Sequence, residues 1–255
     1  MIPRSSAIHQ AQSFHDIRIE GRDNSLVINQ VIQISVEAVT QQPLIRSSPY
    51  LGLRSFEGKH HSFFFGRDEF VARLLRALPQ HGLLAVLGPS GSGKSSVVRA
   101  GLIPQLDERL AKGRFHAITF TPDQDPFLSL RSALKEAAGI PFDRTEFIRP
   151  SPQALLDMAA ELRGDDEQWL LFIDQFEQVF TRCADARVRA AFLEALTRLA
   201  QAKLSEVKIV LAMRADFLGQ LTPYAELVSL VEQGLHVLTD LSPSGLRAAI
   251  EQPAA

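Results

Sequence analysis

Gly88-Pro89-Ser90-Gly91-Ser92-Gly93-Lys94-Ser95-Ser96 follows the apolar run Leu83-Leu84-Ala85-Val86-Leu87 and leads into Val97-Val98-Arg99-Ala100-Gly101-Leu102. Gly88, Gly93, Lys94 and Ser95 meet the spacing G-x-x-x-x-G-K-[ST] of a phosphate-binding loop. The context predicts a buried strand, a glycine turn and the start of a helix. Glycines let the backbone turn its N–H groups inward around phosphates. Lys94 supplies a point charge to the β- and γ-phosphates, and Ser95 offers a hydroxyl to Mg²⁺. The helix N-terminus adds its partial positive charge. All nine residues from Gly88 to Ser96 are therefore candidate contacts of ATP. A Gly/Ser-rich loop without function shares these letters, but the strand before it and the helix after it argue against that reading.

A phosphate loop needs a metal partner, and Leu170-Leu171-Phe172-Ile173-Asp174 has the form of one: four apolar residues, then an acid at the strand's C-terminal end. Ligands of open α/β sheets bind beyond those ends. Asp174 is the candidate Mg²⁺ ligand beside Ser95; a helix-capping aspartate is the plain alternative. Glu177 stands three residues on and is the candidate to orient or activate an attacking water. A first-turn glutamate complementing a helix dipole has the same signature, and Gln178 is a weaker candidate for the water. Arg214 closes the strand Val207–Met213, where its planar donor fork could reach a γ-phosphate. An Arg214/Asp216 pair is the structural alternative. Gly66-Arg67 precedes a helix whose loop could border the base or ribose.

The 255 residues are 45% hydrophobic and 22% charged, with net charge −2, which suits one globular α/β domain plus an appendage and gives no global basic field for nucleic acid. Cys183 is the only cysteine, so no intrachain disulfide can form and a reducing, cytoplasmic setting is expected. No apolar run approaches the ~18 residues of a membrane span. Residues 1–48 read differently from the rest. Leu26, Ile28, Ile32, Ile34 and Val36 share one parity after the turn cluster Gly21–Ser25, which predicts a β-hairpin with one apolar face. A tail with β-propensity and no fixed structure is the alternative. From residue 49 on, further strands are predicted at 115–120, 169–173, 207–213 and 235–238, alternating with helices near 70–78, 126–138, 152–162 and 188–199. That alternation predicts a doubly wound, mainly parallel five-stranded sheet.

Taken in order, Tyr50–Phe56, Phe64-Phe65-Gly66-Arg67, Leu87–Ser96, Asp174-Gln175-Phe176-Glu177 and Arg214–Leu218 resemble the novel STAND-type NTPases, a branch of the signal-transduction ATPases. The likeness covers about residues 49–255. It implies a P-loop ATPase acting as a switch, with Mg²⁺ as cofactor and nucleotide state gating homo-oligomerisation or partner binding, often with sensor repeats in a longer chain. Many members resemble components of bacterial signalling and antiviral systems. The resemblance places Arg67 near the base or ribose, makes Arg214 the sensor arginine and matches Pro253 to an adenine-side proline. Members often carry a second acid where this chain has Gln178, which leaves Glu177 as the catalytic acid candidate and implies slow hydrolysis.

Two other readings compete: a nucleotide-binding scaffold with negligible turnover, and a P-loop small-molecule kinase. A kinase usually carries an Arg-rich lid, and residues 216–234 contain neither arginine nor lysine. A DNA motor would show a basic stripe with interleaved aromatics, which is missing.

Overall fold

Alternation within the strands decides the layers. In the computed structural model of the chain, described over residues 50–52, 54–110 and 114–254, five strands form: β1 (Leu83–Gly88), β2 (Phe115–Phe120), β3 (Gln168–Ile173), β4 (Val207–Arg214) and β5 (Leu235–Val237). The hairpin expected over 1–48 lies outside the described residues. All four pairings are parallel, and the order across the sheet is β2-β3-β4-β1-β5. β4 is thus inserted between β1 and β3. The register sets Gly88 beside Arg214 and Phe120 beside Ile173, so the C-terminal ends of the inner strands lie along one rim.

Leu83, Ala85 and Leu87 of β1 face the same side as Trp169, Leu171 and Ile173 of β3 and Ile209, Leu211 and Met213 of β4. Leu84, Val86, Leu170, Phe172, Val210 and Ala212 face the other. Both faces are apolar, as expected of a parallel sheet covered on two sides. The first face is covered by α3 (Pro126–Ala138), α4 (Ala154–Leu162), α5 (Ala186–Gln201) and α6 (Ala225–Gln233), through residues such as Phe127, Met158, Phe192 and Leu227. The second is covered by α1 (Asp68–Ala77) and α2, through Val71, Leu74, Val98 and Leu102. α2 starts at Lys94–Ser96, passes through a π-helical stretch, Val97–Leu102, and resumes as Ile103–Arg109. α7 (Pro243–Glu251) follows β5.

Asp125 caps α3 by accepting from the N–H groups of Phe127 and Leu128, with Pro126 at the first helical position, as its sequence predicts. α4 begins at Ala154 rather than near 152, because Ser151–Gln153 are taken up in a turn ahead of it. The sequence reading did not anticipate the π-helical stretch, α6, α7 or the 3₁₀ turns Gly58–Phe63 and Ala215–Leu221.

One glycine fastens the N-terminal loop to α7. Gly66 has φ +87°, and a Cβ built there would lie 2.2 Å from the carbonyl oxygen of Gly245. Gly66→Ala combines a left-handed alanine with a backbone clash, each costing about 1–3 kcal/mol. The expected result is a loss of roughly 2–4 kcal/mol in urea denaturation. A loss under about 0.5 kcal/mol, the range of an ordinary surface change, would mean that this contact is loose.

Candidate functional site

The phosphate loop begins where β1 ends. Gly91 (φ 77°) and Gly93 (φ 93°) adopt the left-handed conformation that turns the chain before α2. Lys94 reaches back across the turn, its Nζ donating to the carbonyls of Gly88 (3.0 Å) and Pro89 (2.7 Å). Burial lowers the Lys94 pKa, while Glu177, then Asp174 and Asp216, oppose this and Arg214 adds to it. Lys94 therefore senses all four of those charges, which come from the ends of β3 and β4.

Asp174 is 3% exposed, at the end of β3. Its Oδ1 accepts from Ser95 Oγ (2.8 Å) and from the Gln175 N–H (3.0 Å), and its Oδ2 accepts from Arg99 Nη2 (3.1 Å). No helix starts at Asp174, and its carboxylate faces the loop's serine. Sequence reasoning missed Arg99. Its position in the π-helical stretch and its contact with a residue 75 positions away left no mark in any linear pattern.

The turn after β3 is fastened to the neighbouring strands: the Asp174 N–H donates to Phe120 O (2.9 Å) and the Phe176 N–H to Ala212 O (2.9 Å). Phe176 is fully buried beneath it. Gln175, between them, is left-handed at φ 50°, a conformation that costs a non-glycine residue about 1–2 kcal/mol and concentrates at functional sites. This turn brings Glu177 to the end of β4, where its Oε2 accepts from the Arg214 N–H at 3.3 Å. Glu177 caps no helix N–H through its side chain. Gln178 donates from Nε2 to Gln175 Oε1 (2.8 Å).

The Arg214 guanidinium pairs with Asp216, Nε to Oδ1 at 3.1 Å and Nη2 to Oδ2 at 2.5 Å. The pairing holds the Arg214 pKa above and the Asp216 pKa below their usual values. Both side chains are about half exposed (43% and 55%), so the pair is solvent-screened and readily exchanged. The structural alternative for Arg214 is thus present, at the rim beside the loop.

Arg67 bridges two segments. Nη1 donates to Thr239 O (2.7 Å) and Nη2 to Ser92 O (3.2 Å). Burial lowers its pKa, with Asp240 opposing. Beside it opens a cleft of about 450 Å³ lined by Phe56, Phe64, Phe65, Arg67, Leu241 and Ala249 among others. A second cleft of about 510 Å³ shares Gly52, Phe56, Gly91, Gly93 and Ser96 with the first and continues to Arg54, Lys94, Ser95, Arg99 and Asp174. The first cleft carries Phe56, Phe64 and Phe65, and the second Arg54, Lys94 and Arg99 beside Asp174, which suits a ligand with an aromatic base and a polyphosphate. Pro253 is buried in the 3₁₀ turn Gln252–Ala254, beyond the α7 residue Ala249 that lines the cleft.

Ser95 Oγ and Asp174 Oδ1 are hard oxygen donors of the kind Mg²⁺ takes. Among the described residues no group of three or more His, Cys, Asp or Glu side chains could hold a metal. The donor set fits Mg²⁺ only as a partial shell, with phosphate oxygens and water supplying the rest.

No helix among the described residues is long and apolar enough to cross a membrane. No curated protein matches the chain. Among solved structures, the Aeropyrum pernix ORC1 protein in complex with DNA superposes with a TM-score of 0.51 at 20% identity, over 75% of this chain and 50% of that one. The Walker-type ATPase PABY2304 of Pyrococcus abyssi (TM-score 0.47, 18% identity, 76% and 58% covered) and Cdc6p from Pyrobaculum aerophilum (0.47, 18%, 71% and 47%) are also similar. The chain spans about half the length of these proteins, and at such identities the likeness is one of fold. The family model of Novel STAND NTPase 1 matches residues 49–255, the stretch that carries the loop, Asp174, Glu177 and Arg214. The chain belongs to the novel STAND NTPases.

Proposed function

We propose that the chain is an ATP-binding, slowly ATP-hydrolysing switch of a bacterial signalling or antiviral system, acting in the cytoplasm, in which nucleotide state gates self-assembly or partner binding. One observation supports this best: Lys94, Ser95, Asp174, Glu177 and Arg214 converge along the rim formed by the ends of β1, β3 and β4. The loop amides from Gly88 to Ser96 bind phosphate. Ser95 and Asp174 hold Mg²⁺, which when bound screens the β- and γ-oxygens. Glu177 orients and deprotonates water. Arg67 borders the base side, and Pro253 is the adenine-side proline. Gln178, tied to Gln175, supplies no second acid, in keeping with slow turnover.

Arg214 reports the γ-phosphate by exchanging its exposed Asp216 partner for it. Arg214→Ala is expected to narrow the ATP-over-ADP preference while ADP affinity stays nearly unchanged, since a ligand shifts an equilibrium only through its difference in affinity between states. Calorimetry with an ATP analogue and with ADP measures this; an undiminished preference removes Arg214 from the sensing role. The function as a whole is tested by light scattering of the full chain with each nucleotide. Equal masses with ATP analogue and ADP reject nucleotide-gated self-assembly.

A scaffold with negligible turnover is the second reading. It is favoured by the Glu177 carboxylate, which already accepts from the Arg214 backbone. Nucleotide-dependent mass without phosphate release would select it.

A further inference from the structure

Asp174 has a resident cation. The Arg99 guanidinium meets Oδ2 at 3.1 Å through a single nitrogen, and its Cζ lies over the Phe172 ring, 5.9 Å from the centroid. The Arg99 Nε is buried and has no hydrogen-bond partner among the described residues. The guanidinium is therefore held by one edge rather than by the two parallel bonds of a bidentate pair, which makes the contact exchangeable. Its side chain is 28% exposed and lines the same cleft as Lys94, Ser95 and Gln175. The other carboxylate oxygen already serves Ser95 and the Gln175 amide. A divalent ion approaching Asp174 meets a carboxylate whose charge is neutralised from within the fold, with Lys94 and Arg54 also on the cleft wall.

We infer that Arg99 is a positioning residue that makes metal entry conditional on nucleotide: its guanidinium holds Asp174 until phosphate oxygens arrive, and Mg²⁺ alone is too weakly attracted to displace it. Arg99 lies within the π-helical stretch Val97–Leu102, and its side chain reaches Asp174 at the end of β3. The inference rests on the nucleotide-binding reading and concerns the order in which metal and phosphate are admitted.

The test uses Mn²⁺ as the Mg²⁺ probe, with binding read from its free electron-spin-resonance signal on the full chain. Wild type, Arg99→Lys and Arg99→Gln are each titrated without nucleotide and with an ATP analogue. Removing a unit charge next to a carboxylate changes its affinity for a cation by about tenfold or more. Arg99→Gln is therefore expected to bind Mn²⁺ without nucleotide at least about tenfold more tightly than wild type. Arg99→Lys, which keeps the charge, is expected to stay near wild type. Equal nucleotide-free affinities in wild type and Arg99→Gln overturn the inference, as does an Arg99→Lys that matches Arg99→Gln. If Arg99→Gln fails to fold without metal, its refolding yield is compared with and without Mg²⁺ in the absence of nucleotide. A yield that rises with Mg²⁺ supports the inference, and an indifferent yield overturns it. Wild type that takes up no Mn²⁺ even with the ATP analogue sinks the nucleotide reading itself, a separate outcome.

Discussion

Glu177→Gln is expected to lower ATP hydrolysis by about 10²- to 10⁴-fold, the usual contribution of a positioned general base. The amide has nearly the same shape and still accepts a hydrogen bond, so the contact from the Arg214 N–H at 3.3 Å persists and the turn keeps its place. The variant loses the capacity to take a proton together with the negative charge that Lys94 senses. ATP·Mg²⁺ affinity should therefore stay close to wild type, because the loop, Ser95 and Asp174 are untouched. Single-turnover phosphate release beside calorimetric binding checks both halves. A wild-type hydrolysis rate in this variant would reduce Glu177 to a fastener between the β3 turn and β4.

Lys94→Ala should weaken ATP·Mg²⁺ binding by roughly 1.5–3 kcal/mol, the scale of a hydrogen bond to a charged group, or about tenfold to more than a hundredfold in Kd. The ammonium now spans the loop between the Gly88 and Pro89 carbonyls. Those contacts are partly exposed, so the fold should lose little from the substitution while the ligand loses its nearest cation. The thermal shift that saturating ATP gives wild type should shrink accordingly, since ligand stabilisation follows affinity by mass action. Unchanged affinity by calorimetry would sink the assignment of the loop.

How much of this could be read in advance varies with the physics. β1 and the loop were legible because an all-apolar run followed by fixed glycine spacing leaves one local solution, and Asp174 was legible as the acid at a strand's end, with a helix cap as its alternative. The strand order was not. Strands buried on both faces carry no alternation, so nothing in Val207–Arg214 says that β4 lies between β1 and β3. α7 was missed for a related reason: Leu246 and Ile250 are 50% and 55% exposed, so its apolar residues do not mark a buried stripe. Ser242 and Pro243 did hold its start signal, with the Ser242 hydroxyl accepting from the Gly245 N–H. Arg99 was invisible because its meaning lies in a π-helical stretch and a partner on another strand. Arg214 was legible as a pair of alternatives, of which the Asp216 contact is the structural one.

The Arg67 bracket has a mechanical consequence. One planar, rigid group joins Ser92 of the loop to Thr239 ahead of α7, and the Gly66–Gly245 contact pins the same corner by backbone alone. Tyr50 adds a further pin, its hydroxyl donating to Ile250 O at 2.6 Å. Two of these contacts reach α7 itself and the third reaches Thr239 ahead of it, so the 50–67 segment is tied to both and, through Ser92, to the loop. A shift of Ser92 would bear on Thr239 through a single side chain. Whatever is coupled to the outer face of α7 would feel loop motion as torque on a stiff lever.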